Sequence, residues 1–357
     1  MMINKLQFSN RFSFRGRPGI VASAFIFSAF SLVFLASVSQ KVAVDYTPAT
    51  VMEEGGVSFI QYTGDDENVV GPYVGVNNVS KFLEWWSSPV IDVSADSTYL
   101  GYKCFKNNAT NLYLRKLSGG KNIVQRTFRN GVLDFSFSND GKNIAFSENS
   151  DGSENIYLVN TIEGSAVQQI TSSPASEVGP YFSVDDKMIF YTKSEVIRDV
   201  NYTEVKYYVW SFNRESSLVT QYNEGYSPCM HPDGKRLLIC RNNKVNGLGE
   251  IWSIDIVSGQ ETLLLSEKDR GFSSPDISKD GKRIVCVGSS KPTKTKRANL
   301  DIFTFNIDGT GLTQLTFHPG HDASPRWAPN SNSVFFVSQR GNSKGKWNVW
   351  RMNVRQS

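Results

Sequence analysis

Histidine and cysteine are scarce in this chain, with three His and four Cys in 357 residues. The scarcity excludes whole classes of chemistry. Cys104, Cys229, Cys240 and Cys286 form no C-x-x-C pair, so neither a zinc-ribbon site nor a thioredoxin-type redox pair is present. There is no G-x-S-x-G nucleophile elbow, no H-E-x-x-H zinc motif and no glycine-rich phosphate loop. Charge of one sign is also lacking. Of the formal +4, Lys5, Arg11, Arg15, Arg17 and Lys41 supply +5 within residues 1–41, which hold no acid, so the remainder carries −1. A remainder so near neutrality is not a global polyanion binder, and nucleic acid is not expected as a partner.

What is present begins with an export layout. Four basic residues precede the uncharged stretch 18–40, rich in Phe, Ala, Ile, Val and Leu. Its 23 residues suffice to cross a bilayer. Residues 1–41 therefore read as a signal peptide or a signal-anchor transmembrane segment, with Ser37-Val38-Ser39 as the best small-x-small cleavage point. In either case the remainder is expected outside the cytoplasm, periplasmic or otherwise extracytoplasmic, and held at the membrane by residues 18–40 if they are retained.

A repeat fills the rest. One phrase recurs six times, with its Asp or Asn at Asp96, Asp140, Asp185, Asp233, Asp280 and Asn330, at steps of 44, 45, 48, 47 and 50 residues. The fullest copies read Asp-Gly-Lys, where Gly supplies the positive φ of a tight hairpin and Asp caps the turn. Each turn lies between alternating apolar runs. A third run follows with an aromatic column at Tyr113, Tyr157, Trp210, Trp252, Phe303 and Trp350, then a fourth run of the Leu-Thr type. A period in the forties with four strands per copy predicts an all-β fold: a six-bladed β-propeller with four-stranded antiparallel blades. The aromatic column would fill the wedges between blades.

The sixth copy lacks its fourth run, and an N-terminal strand is expected to close the ring. Residues 79–85 are assigned that role because their lead-in resembles the Leu312-Thr-Gln-Leu-Thr-Phe segment. The propeller is then residues 79–357, and residues 42–78, including the strand-like run 57–63, are a stalk or strap. Cys229 and Cys240 flank one hairpin turn, and a bridge between them and buried free thiols are both open readings.

The Asp-Gly-Lys turn, the Asp/Asn-Ile-aromatic strand, the Leu-Thr strand and an acidic-x-x-Pro lead-in together resemble the TolB-like six-bladed β-propellers over about residues 79–354. That resemblance implies an exported protein, monomeric as a propeller, that recognises partner proteins or envelope components without a cofactor. The 37 residues 42–78 are too few for the folded domain that precedes the propeller in TolB itself. Related repeats form the gating propeller of prolyl-oligopeptidase-like enzymes, whose hydrolase domain has no counterpart up to Ser357.

Strand alternation sorts the loops. The links from second to third strand emerge on the same face as the links between blades, the top face. The other carries the Asp-Gly turns, the turn face. On the top face, Arg241, Lys244, Lys291, Lys294, Lys296, Arg297, Arg340, Lys344 and Lys346 cluster over blades four to six, opposite Glu148, Asp151 and Glu154 of blade two. This basic surface is expected to bind a protein or envelope polymer that is acidic at the contact. Glu177, Glu224, Arg270, His321 and Asp322 are expected to ring the mouth of the axial channel. His318-Pro-Gly-His321-Asp322 is the one metal-like spacing, and it supports the alternative of a metal-dependent hydrolase or lyase. A sugar-binding propeller using Arg270 or Trp327 is a third reading.

Overall fold

The computed structural model describes residues 51–54, 57–71, 90–118, 122–128, 131–150, 152–200, 202–290, 299–341 and 345–354. The chain divides into residues 1–47 and residues 48–357, and everything below concerns the second unit. It is a six-bladed propeller of antiparallel sheets. The expected segment 18–40 lies outside the described residues. Among the described residues no helix is long and apolar enough to cross a membrane.

The six innermost strands are Ile91–Val93, Val132–Phe137, Glu177–Phe182, Tyr226–Met230, Arg270–Ile277 and Asp322–Trp327. Each turns into its second strand at the repeated phrase. Gly141, Gly234 and Gly281 take φ of 68°, 69° and 71° there. The copies without Gly keep the left-handed turn with Ser97, Asp186 and Ser331. Local hydrogen bonds hold it: the Oγ of Ser94, Ser138, Ser183 and Ser278 donates to the turn Asp two residues on, each at 2.6 Å. In the fourth blade His231 replaces that Ser. It is buried, its Nδ1 accepts the Asp233 amide and its Nε2 lies 3.1 Å from the Gly281 carbonyl of the next blade. Its role there is to link two blades.

The closing strand differs from expectation. Val57–Gln61 pairs with the third strand of the last blade, Asn348–Asn353, in the register Phe59↔Met352, Ile60↔Arg351 and Gln61↔Trp350. Val51–Glu54 then adds a fifth strand outside it. Residues 79–85 lie outside the described residues, but the position assigned to them is occupied by the strap. The reason is physical: Val57 packs on the core, and Phe59 is buried against Phe336 and under the Arg340 guanidinium. The strap then crosses to the first blade. Thr63 bonds Asn348 and the Val349 amide, Glu67 pairs with Arg115 and accepts the Tyr102 hydroxyl, and Val69 bridges Cys104 of the first blade and Trp347 of the last.

All four cysteines are buried free thiols. Cys229 stands opposite Leu238 and Cys240 opposite Tyr226 across a bulge, so the two face each other only diagonally.

The strap's energetic role is testable. Truncating a buried Phe costs about 3–5 kcal/mol, so Phe59→Ala should lose that much in urea unfolding. Val51→Ala, on the exposed outer strand, should stay within about 0.5 kcal/mol. Equal, small losses would contradict closure by residues 57–61.

Candidate functional site: the axial cavity

In each innermost strand the residue four before the turn Asp or Asn occupies one tier around the axis. That tier is Asp92, Ser136, Tyr181, Cys229, Asp276 and Arg326. Four of the strands reach it through a Ser/Gly-Pro step. Gly179, Ser227, Ser274 and Ser324 take φ of 66°, 55°, 50° and 51°, and the sheet register shifts there. The resulting bulge re-aims the next residues toward the axis.

Arg326 is the hub. It is buried, with Nε 3.6 Å from Asp92 Oδ1 and Nη1 3.5 Å from Asp276 Oδ1. Both carboxylates also accept backbone amides from the following blade, Asp92 from Phe137 at 2.8 Å and Asp276 from Trp327 at 2.7 Å. The Cys229 thiol donates toward Asp276 at 3.9 Å. Thus each Asp ties its own blade to the next as well as holding the guanidinium.

Burial dominates the electrostatics. It pushes the Asp92 carboxyl up to about 6, against the opposing pull of Arg326. It raises Asp276 in the same way, and it pushes the Cys229 thiol up to about 12, with Asp276 adding to the effect. For Arg326, burial is outweighed by the two carboxylates, so the guanidinium stays charged. Above pH 6 the Asp92 carboxylate therefore stands ionised beside the Arg326 cation.

Toward the turn face the tier floors a cavity of about 380 Å³ to which all six blades contribute. Its wall is the next residue of each strand: Val93, Phe137, Phe182, Met230, Ile277 and Trp327. Its rim carries Ala95, Val184, Pro232, Lys279 and Pro329. This volume falls in the usual range of binding pockets, with apolar walls and a few convergent polar groups. The Ser136 hydroxyl and the Trp327 indole N–H, both buried, have no hydrogen-bond partner among the described residues.

The residues expected to form the site are elsewhere. Lys291, Lys294, Lys296, Arg297 and Lys344 lie outside the described residues. Arg340 is a correction: it is fully buried rather than a surface cation. It bonds Asp322 at 2.8 Å and stacks over Phe59 and Phe336. A guanidinium sandwiched between rings beside a buried carboxylate is a packing element. Arg241 is half-buried, paired with Glu261 at 2.7 Å and stacked on Trp252. Lys244 is exposed, and Lys346 is exposed with its Nζ on the Asp65 carbonyl at 2.9 Å.

The residues expected at the channel mouth sit in different settings. Asp322 is buried under Arg340, and Glu177 is buried with Lys193 at 2.8 Å. Glu224 is exposed, and Arg270 reaches Glu267 at 3.4 Å and the Phe303 ring. His318 Nδ1 accepts the Gly320 amide. His321 Nδ1 accepts the Leu300 amide, its ring stacks on Trp347, and burial lowers its pKa. Among the described residues no three His, Cys, Asp or Glu side chains come together to hold a metal ion.

Residues 75–287 match the family described as the TolB β-propeller domain. The chain belongs to that family. The Tol-Pal system protein TolB of Francisella tularensis subsp. mediasiatica is 26% identical over 219 residues, covering 61% of this chain and 48% of that protein. The chain spans about half the length of the curated relatives it matches. Among solved structures, TolB from Acinetobacter baumannii has a TM-score of 0.55 at 19% identity, over 75% of this chain and 63% of that one. Oligogalacturonate lyase from Vibrio parahaemolyticus has a TM-score of 0.58 at 14% identity, over 86% and 97%. At such identities the likeness is one of fold, and one fold hosts many functions.

Two variants test the tier. Arg326→Leu leaves two buried carboxylates unpaired and should cost about 3–5 kcal/mol. Asp92 has a folded value near 6 against its ordinary 3.8. Its stabilising contribution is therefore complete below the ordinary value and lost as pH rises through 6. Asp92→Asn should reduce the slope of stability against pH across that interval, measured by urea midpoints. An unchanged slope would mean that Asp92 is not the group titrating there.

Proposed function

We propose that this TolB-family propeller is a non-catalytic, exported scaffold that captures a segment of a partner protein in the axial cavity of its turn face. The observation that carries this reading is the cavity itself, apolar-walled, fed by all six blades and floored by a tier that sets the Asp92 and Asp276 carboxyls around the Arg326 guanidinium. Such a site suits a projecting segment with apolar side chains around one Lys or Arg.

Positive commitments of the polar groups favour binding over catalysis. The tier carboxylates are taken up by backbone amides and Arg326, and both loop imidazoles accept backbone amides, so none is positioned as a free base. A glycan reading finds Trp327 in the wall, but the Arg283 guanidinium lies 4.6 Å from its ring centroid and occupies a face that a sugar would stack on. The export layout of residues 1–41 supports an extracytoplasmic partner, and the Tol-Pal relatives make an envelope protein the natural class. The acidic partner expected for the top-face lysines would belong to a different surface.

Panning a displayed peptide library on the full chain tests the reading. Selected peptides should carry a basic residue flanked by apolar ones. They should bind at least about tenfold more weakly to Ala95→Trp, which narrows the rim, and more weakly at pH 5 than at pH 7.5 as Asp92 takes up its proton. Peptides indifferent to both changes would contradict it.

A further inference from the structure

The top face carries a second feature, independent of the cavity. Four aromatic side chains are exposed among the described residues: Phe105, Phe128, Tyr202 and Phe317. All four lie on the top face. Phe105 ends the second strand of blade one, next to the turn at Asn107 and Asn108. Phe128 and Phe317 follow the fourth strands of blades one and five. Tyr202 closes the tip of the long blade-three hairpin, where the Asp199 amide donates to its carbonyl. Single valines stand beside them at loop tips, Val200 at 97% exposure and Val245 of blade four at 95%. Phe128 and Phe317 are themselves 77% and 67% exposed. The turn face also exposes apolar residues, Ile162, Val184, Leu218 and Val257, but among the described residues no aromatic ring.

Strand direction adds a second observation. Asn348–Asn353 runs from the top face toward the turn face, Val57–Gln61 runs back, and Val51–Glu54 runs down again. Val51 stands opposite Ile60, level with Arg351 midway along the last blade, and its strand enters from the top side. Only ten residues separate Val51 from the uncharged stretch 18–40, a link of at most ~35 Å.

We propose that the top face lies against a lipid bilayer, with its loop-tip aromatics and valines entering the headgroup region at several separate points. The rings stand at loop tips of blades one, three and five. They suit a flat boundary that accepts each ring singly, and aromatic residues favour that boundary. Exposed charges of both signs stand on the same side, Lys244 and Lys346 with Asp199, Glu224 and Asp269, so the rings and not a net charge carry the contact. In this orientation the turn face and its cavity point away from the membrane.

The test uses the full chain with phosphatidylethanolamine/phosphatidylglycerol vesicles. Spin labels are placed singly by Phe128→Cys, Val200→Cys, Phe317→Cys, Ile162→Cys and Val257→Cys. The four native thiols are buried, and the unsubstituted chain serves as the labelling blank. Collision with dissolved oxygen relative to a water-soluble nickel chelate should be at least about threefold higher at the three top-face positions than at the two turn-face positions. Equal ratios on the two faces, aqueous ratios everywhere, or no vesicle association would overturn the proposal. Cavity binding is not read out, so its fate remains separate.

Discussion

The pairing of Val57–Gln61 with Asn348–Asn353 joins the two ends of the ring, and the rest of the architecture depends on it. Without that pairing the last blade would end in an open edge, and the first would meet the sixth only through side chains. The join is both backbone and side chain. Strand hydrogen bonds are reinforced by Phe59 packed against Phe336 and under Arg340, and by Glu67 reaching Arg115 and Tyr102 in the first blade. Arg340 could not be buried alone, and its bond to Asp322 explains why both charges are tolerated there.

Closure sets the axial tier. Arg326 belongs to the sixth blade, Asp92 to the first and Asp276 to the fifth, so the charge cluster spans the seam that the strap closes. A buried guanidinium between two carboxylates adds little net stability relative to an apolar core, but it is costly to break. It also fixes which strands are neighbours, because each Asp bonds the amide of the next blade. The cavity on the turn face follows from the same geometry: polar residues plug the channel at one level and apolar residues wall it at the next.

Much of the fold was legible because it is local. The turn phrase, the aromatic column and the period each lie within one copy, and Ser97, Asp186 and Ser331 adopt the left-handed turn even where Gly is missing. Closure was not legible, because a strand's partner nearly three hundred residues away leaves no trace in its own pattern. The run 57–63 reads as a strand, and nothing in it names Asn348–Asn353 as its neighbour. Arg340 reads as a loop cation because its burial depends on Phe59, which arrives from the other end of the chain. The tier was missed for another reason. Its column holds Asp, Ser, Tyr, Cys, Asp and Arg, which looks like noise beside the uniform turn. A column that is polar in every copy on an innermost strand is a signal that alignment on the turn Asp would have exposed.

The two faces thus differ, with a cavity among the turns and exposed rings on the opposite side, and both require the strap to be a structural strand. Hydrogen exchange of the native full chain, followed by mass spectrometry, tests this most directly. Amides of residues 57–63 should exchange as slowly as those of residues 348–353, since each strand protects the other. Exchange of residues 57–63 within seconds, with residues 348–353 behaving as a frayed edge, would contradict closure by the N-terminal strap.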